Sequence, residues 1–164
     1  MSIKYFFKIA AELSDLMIVK NLFLTTAESC TGGWVSKEIT AIPGSSKWFG
    51  YGFVTYSNLA KIQVLGVSKK TLECYGAVSS ETVKEMVSGA LMVSKADIGL
   101  AISGIAGPSG GSIDRPVGTV SIAWQLKGQE AISVTEFFTG DREEVRIQTV
   151  ERAFQGCLEI VKSL

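Results

Sequence analysis

A chain of 164 residues with sixteen basic residues, sixteen acidic ones and no histidine is sized for one compact domain that buries roughly two-thirds of its unfolded surface without a covalent staple. A hydrophobic share of 46% and a charged share of 20% exclude a disordered chain, and a net charge of zero with a pI near 6.3 argues against a nucleic-acid partner. The missing histidine excludes Ser-His-Asp and Cys-His catalysis and imidazole metal sites, so acid–base chemistry near neutral pH falls to Lys, a carboxylate, Tyr or Cys with a tuned pKa.

The first segment reads as an amphipathic helix, with Ile3, Phe6, Phe7, Ala10, Leu13 and Met17 at helical spacing. Lys4, Lys8, Glu12 and Asp15 interrupt it, so it fits no signal peptide. Leu22 to Ala27 is β-leaning and short, a predicted strand. Thr31 to Thr40 reads as a helix with Gly32 and Gly33 in its first turn, ended by Pro43 and Gly44. Trp48 to Tyr56 is a second predicted strand, and Asn58 to Leu65 and Ser68 to Cys74 are predicted short helices. Ser79 or Ser80 is placed to cap the next helix, with Glu81 in its first turn and Val83, Met86, Val87, Ala90 and Leu91 as its buried stripe. Asp97 to Ser103 is an apolar strand, and Gly104 to Pro116 a glycine-rich loop. Gly118 to Leu126 and Ala131 to Phe138 form a predicted hairpin across Lys127-Gly128-Gln129-Glu130. After Gly140 and Asp141, a last helix carries the stripe Ile147, Val150, Phe154, Cys157 and Val161. Helices at both ends with strands between them predict an α/β fold: a single layered domain with a mixed β-sheet flanked by helices.

The cysteines, Cys30, Cys74 and Cys157, are odd in number and lack a C-x-x-C spacing, which fits neither a disulfide framework nor a zinc site. They suit a reducing, cytoplasmic setting. No apolar run is long enough for a membrane span, so no membrane partner is expected.

Three segments carry more polar side chains and glycines than a scaffold needs. In Thr25-Thr26-Ala27-Glu28-Ser29-Cys30-Thr31-Gly32-Gly33 a strand turns into a helix, whose N-terminus offers free N–H groups and a positive dipole end. Ser29 there either attacks a substrate beside ready-made oxyanion donors or, like Thr31, only caps the helix. Cys30 is a second nucleophile or a small packed residue. In Gly52-Phe53-Val54-Thr55-Tyr56-Ser57-Asn58-Leu59-Ala60-Lys61, Lys61 is either a general base or a solvated charge. As a base its pKa must fall by several units from about 10.4. The third segment, Ser103-Gly104-Ile105-Ala106-Gly107-Pro108-Ser109-Gly110-Gly111, is an anion cradle or a plain loop, without the spacing of a P-loop or a Rossmann turn.

The ordered motifs AESCTGG, PGSS, GFVTYSN-x-AK, LGV, GAVS, SGIAGP-x-GG, PVGTV and GDR, from Thr25 to about Arg146, resemble the CinA C-terminal domain family, and most closely its stand-alone amidases. The resemblance implies hydrolysis of nicotinamide mononucleotide to nicotinic acid mononucleotide and ammonia, by a Ser/Lys dyad without metal or cofactor. The family's Ser falls on Ser29, its Lys on Lys61 and its Tyr on Tyr56. Substrate contacts are expected at Glu28, Cys30, Thr31, Gly32, Ser103 and Gly104, and phosphate contacts at Gly107, Gly110, Gly111 and Arg142. Amides at the start of the Cys30–Thr40 helix are expected to hold the oxyanion. Leu59 stands where many members carry an acidic residue, while Arg115 and Ser103 are conservative departures. A homodimer is expected, because family members associate. The competing readings are a non-catalytic nucleotide-binding or regulatory module, a dyad hydrolase of another small amide, and a Cys30-based enzyme.

Overall fold

A computed structural model describes residues 3–164, with side chains from Lys8 onward. Its elements follow the expected order: α1 (Ile3–Val19), β1 (Leu24–Glu28), α2 (Trp34–Thr40), β2 (Phe49–Val54), α3 (Asn58–Leu65), α4 (Lys69–Tyr75), α5 (Ser80–Ser94), β3 (Ile98–Gly104), β4 (Thr119–Leu126), β5 (Ile132–Phe137) and α6 (Arg142–Ser163). Ala10, Leu13 and Met17 of the first stripe are buried; Ile3, Phe6 and Phe7 lie outside the described side chains. Among the described residues no helix is long and apolar enough to cross a membrane.

The sheet has five strands in the order β2-β1-β3-β4-β5. Strand β1 runs parallel to both β2 and β3, and β3, β4 and β5 pair antiparallel, so the α/β mixed sheet flanked by helices stands as expected. Alternation along each strand divides the core in two. Leu24, Ile98, Leu100, Ile102, Ile122 and Trp124 pack with α1, α2 and α6 on one face. Ala27, Ala101 and Ala123 meet Leu65, Val83, Met86, Val87 and Ala90 of α3 and α5 on the other. Small strand residues on this second face let its helices lie close to the sheet. Gly89 extends that closeness: a Cβ there would fall 1.8 Å from the Leu65 carbonyl oxygen, so only glycine lets α5 pass under the end of α3.

Local chemistry sets the helix boundaries. Ser57 and Ser79 accept from the amides of Ala60 and Thr82, starting α3 and α5, and Ser79 rather than Ser80 is the cap. Asp141 and Glu144 form a reciprocal capping box at the start of α6. Helix α2 begins later than expected. Gly33, at φ +94°, lies in the left-handed region and outside the helix, where glycine is favoured.

Candidate active site

The C-terminal ends of the parallel strands β1, β2 and β3 converge on one edge of the sheet, where the chain leaves β1 for neighbours on either side. Ligand sites in open α/β sheets form at such a switch point. The parity of β1 decides what each residue does there. Leu24, Thr26 and Glu28 face α2, while Thr25, Ala27 and Ser29 face α3 and α5.

Glu28 is therefore turned away from the cleft. It is fully buried, and its carboxylate accepts from the amides of Gly33 (3.1 Å), Val35 (3.1 Å) and Ser36 (2.9 Å) and from Ser36 Oγ (2.8 Å). Glu28 thus holds the start of α2, and of the amides in the expected Cys30–Thr40 segment it engages those of Gly33, Val35 and Ser36. The amides of Gly32 and Trp34 are also taken, by the carbonyls of Ser29 and Thr31. Replacing Glu28 by Ala leaves several buried donors unpaired, so it should cost about 2–4 kcal/mol of stability, read from the shift of the denaturant midpoint.

Ser29 is 7% exposed and Lys61 only 1%. Lys61 Nζ lies 3.0 Å from Ser29 Oγ, 2.8 Å from the Thr55 carbonyl oxygen and 3.4 Å from that of Tyr56. Burial holds the Lys61 ammonium below its ordinary pKa of 10.5, only partly opposed by the neighbouring Cys30. Among the described residues no carboxylate bonds to it, so none compensates the desolvation directly.

Ser29, Cys30, Tyr56, Asn58, Lys61, Ala77, Val78, Ser103, Gly104, Ala106 and Arg142 enclose a cavity of about 210 Å³. Ser103 sits beside Ser29, one step beyond the Glu28–Ile102 register pair. Ala106 and Arg142 are shared with a larger cleft of about 710 Å³ between the 106–117 loop and the start of α6. Arg142 links the two spaces. It donates to the Gly107 carbonyl (2.7 Å) and to the Tyr56 hydroxyl (3.1 Å). Tyr56 is 62% exposed; its phenol meets Arg142, and its main-chain carbonyl meets Lys61.

Of the other expected site residues, Cys30 lines the smaller cavity, whereas Thr31, Gly32, Gly110 and Gly111 lie apart from it. Cys30 is buried, and desolvation pushes its thiol up to about 12, with its own backbone amide and the Arg146 charge pulling the other way. A thiol so placed is a poor nucleophile near neutral pH. Thr31 is fully buried, and with Gly32 it lines a separate hollow beside Trp34 and Arg146. Gly110 and Gly111 do not line the two central cavities. A Cβ on Gly111 would fall 2.7 Å from the Val117 amide nitrogen, so only glycine lets the loop close on itself there.

Two participants were not singled out from the sequence. Thr55 supplies the nearest carbonyl to Lys61. Arg146 reaches the carbonyls of Cys30 (3.1 Å) and Thr31 (3.0 Å) and stacks on Trp34 at 5.0 Å. Neither leaves a local signal, because one acts through its main chain and the other sits on a helix face rich in ordinary charges.

Comparison with known proteins bears on this arrangement. A nicotinamide-nucleotide amidohydrolase of Enterobacter agglomerans is 47% identical over 99% of this chain and 100% of its own. A protein of the same description from Escherichia coli (strain K12) is 50% identical over 90% of each chain. A solved CinA superfamily structure from Klebsiella pneumoniae superposes with a TM-score of 0.93 at 38% identity, over 97% of this chain and 99% of that one. Residues 7–161, including every strand and each wall of the cleft, match the CinA C-terminal domain, and the chain belongs to that family.

Proposed function

We propose that the protein is an amidohydrolase that converts nicotinamide mononucleotide to nicotinic acid mononucleotide and ammonia, with Ser29 as nucleophile and Lys61 as general base, in pyridine-nucleotide recycling. The observation that carries this reading is the 3.0 Å approach of a buried lysine to a serine at the head of the sheet, in a chain whose relatives are named for that hydrolysis.

In this reading Lys61 is neutral in the working enzyme. The Thr55 and Tyr56 carbonyls only accept. A neutral amine has two N–H bonds for them and one lone pair left, which faces Ser29. Ser29 Oγ transfers its proton to that lone pair and forms a bond to the carboxamide carbon. When the tetrahedral adduct collapses, the C–N bond breaks, and the departing nitrogen takes the proton from Lys61 and leaves as ammonia. A water then gives a proton to Lys61 and its oxygen to the ester carbon. The carboxylic acid is released, and the proton returns to Ser29 Oγ. The positive pyridinium ring makes the amide carbon more electrophilic, which lowers the demand on the protein.

The cavity of about 210 Å³ suits the flat ring and amide, and the adjoining cleft of about 710 Å³ the ribose and phosphate. Arg142, at their junction, is the cation for the phosphate, and Tyr56 holds Arg142 in place. Arg142→Ala should therefore raise KM by about 10- to 100-fold and change kcat much less, as expected for loss of a remote charged contact. The nucleoside, which lacks the phosphate, should gain little from having Arg142 present.

The direct test is incubation of purified protein with nicotinamide mononucleotide, with and without chelator, and assay of ammonia and the deamidated nucleotide. Equal release of both products, indifferent to chelator, supports the proposal. A folded protein that binds the nucleotide and releases neither is a binding or regulatory module instead.

A further inference from the structure

We infer that Arg146 is a positioning residue for the oxyanion site, which it builds by holding the turn that follows Ser29; the inference rests on the Ser29 reading above. With the α2 amides engaged by Glu28, the tetrahedral oxygen needs other donors. Among the described residues the amides of Cys30 and Thr31 donate to no main-chain carbonyl, and the Cys30 amide lies against its own thiol. They are the first two amides after the nucleophile.

Arg146 controls the direction of the Thr31 amide through its peptide plane, while the Cys30 amide is set by the Ser29 carbonyl, which accepts from Gly32. Arg146 Nε donates to the Cys30 carbonyl and its Nη2 to the Thr31 carbonyl. The Cys30–Thr31 peptide is trans, and in a trans plane the carbonyl and the following N–H point opposite ways. Drawing the Cys30 carbonyl toward Arg146 therefore turns the Thr31 amide away from it and fixes that amide. The guanidinium also polarises the same peptide unit, which strengthens the N–H as a donor. The fork is held by two acceptors and by the Trp34 ring beneath it. Its charge reaches the turn, where it favours the ionised form of the Cys30 thiol and equally an oxyanion formed beside it. Lysine is no substitute, because a single ammonium does not match two divergent carbonyls with fixed planar geometry.

The competing role for Arg146 is phosphate binding, since it also lines the larger cleft. Two substrates separate the roles: nicotinamide mononucleotide, and p-nitrophenyl acetate, a small ester with neither phosphate nor pyridinium. Arg146→Ala and Arg146→Lys are compared with wild type on both, with melting curves as the control for folding. The expected result is a kcat fall of about 10- to 100-fold for Arg146→Ala on both substrates, the size seen on losing one oxyanion donor or somewhat less. KM should change little, and the acid limb of the pH profile should not move, because Lys61 is untouched. Arg146→Lys, which keeps the charge and so guards against simple misfolding, should recover only a small part. Loss confined to the nucleotide and seen in KM would overturn the assignment and make Arg146 a phosphate ligand. Full activity of either variant would also overturn it. A wild-type Ser29 unreactive toward both substrates would overturn the dyad itself, a different outcome from the other two.

Discussion

Ser29→Ala and Lys61→Ala should each lower kcat by roughly 10⁴- to 10⁶-fold, and the double variant should be scarcely worse than either single one. The serine has no other base within reach, and the lysine has no other nucleophile to serve. The non-additivity is the informative part: two residues that each contributed separately to binding would give multiplied losses. Cys30→Ala should retain most of the activity, since its thiol, pushed up to about 12 by burial, is protonated throughout the working range. A Cys30→Ala enzyme as inactive as Ser29→Ala, and equally well folded, would transfer the nucleophile's role to the thiol.

Lys61→Arg should be as inactive as Lys61→Ala, although it preserves the charge. Guanidinium stays protonated and accepts no proton, and the pocket around Nζ is lined by carbonyls that favour donors without making an acceptor of arginine. In the wild type, burial depresses the Lys61 pKa. Protonation inactivates the base, so kcat/KM should rise with pH along a limb set by that lowered value, then remain high above it. The chain has no histidine to supply a limb in this range, and Cys30 titrates too high to do so. A profile falling through neutral pH toward alkaline values, or a Lys61→Arg enzyme near the wild-type rate, would leave Lys61 as an electrostatic contact only.

The scaffold was largely legible because it is written in short-range periodicity. A serine cap at Ser79 or Ser80 and the stripes of α5 and α6 follow from neighbouring residues alone. The one clear displacement, the later start of α2, arises from backbone conformation at Gly33, which spacing does not encode. Their local segments made Ser29 and Lys61 candidates, and only the family resemblance paired them. Ser29 and Lys61 are 32 positions apart, and nothing local distinguishes Lys61 from a solvated lysine. The division of labour at β1 was hidden for a related reason. Glu28 and Ser29 are adjacent in sequence, but strand parity sends one into the α2 cap and the other into the cleft. Arg146 meets its partners 115 and 116 positions away, beyond any pattern in the sequence around it.

Partitioning of the acyl-enzyme tests covalent catalysis by Ser29 most directly. Hydroxylamine, added during turnover of nicotinamide mononucleotide, competes with water for an ester even when that ester never accumulates. With Ser29 as nucleophile, the hydroxamate of the nucleotide should form in proportion to the added hydroxylamine, at the expense of the carboxylate, and neither product should appear with Ser29→Ala. Carboxylate as the sole product at every hydroxylamine concentration, with Ser29→Ala still active, would contradict the account and point to direct attack by water.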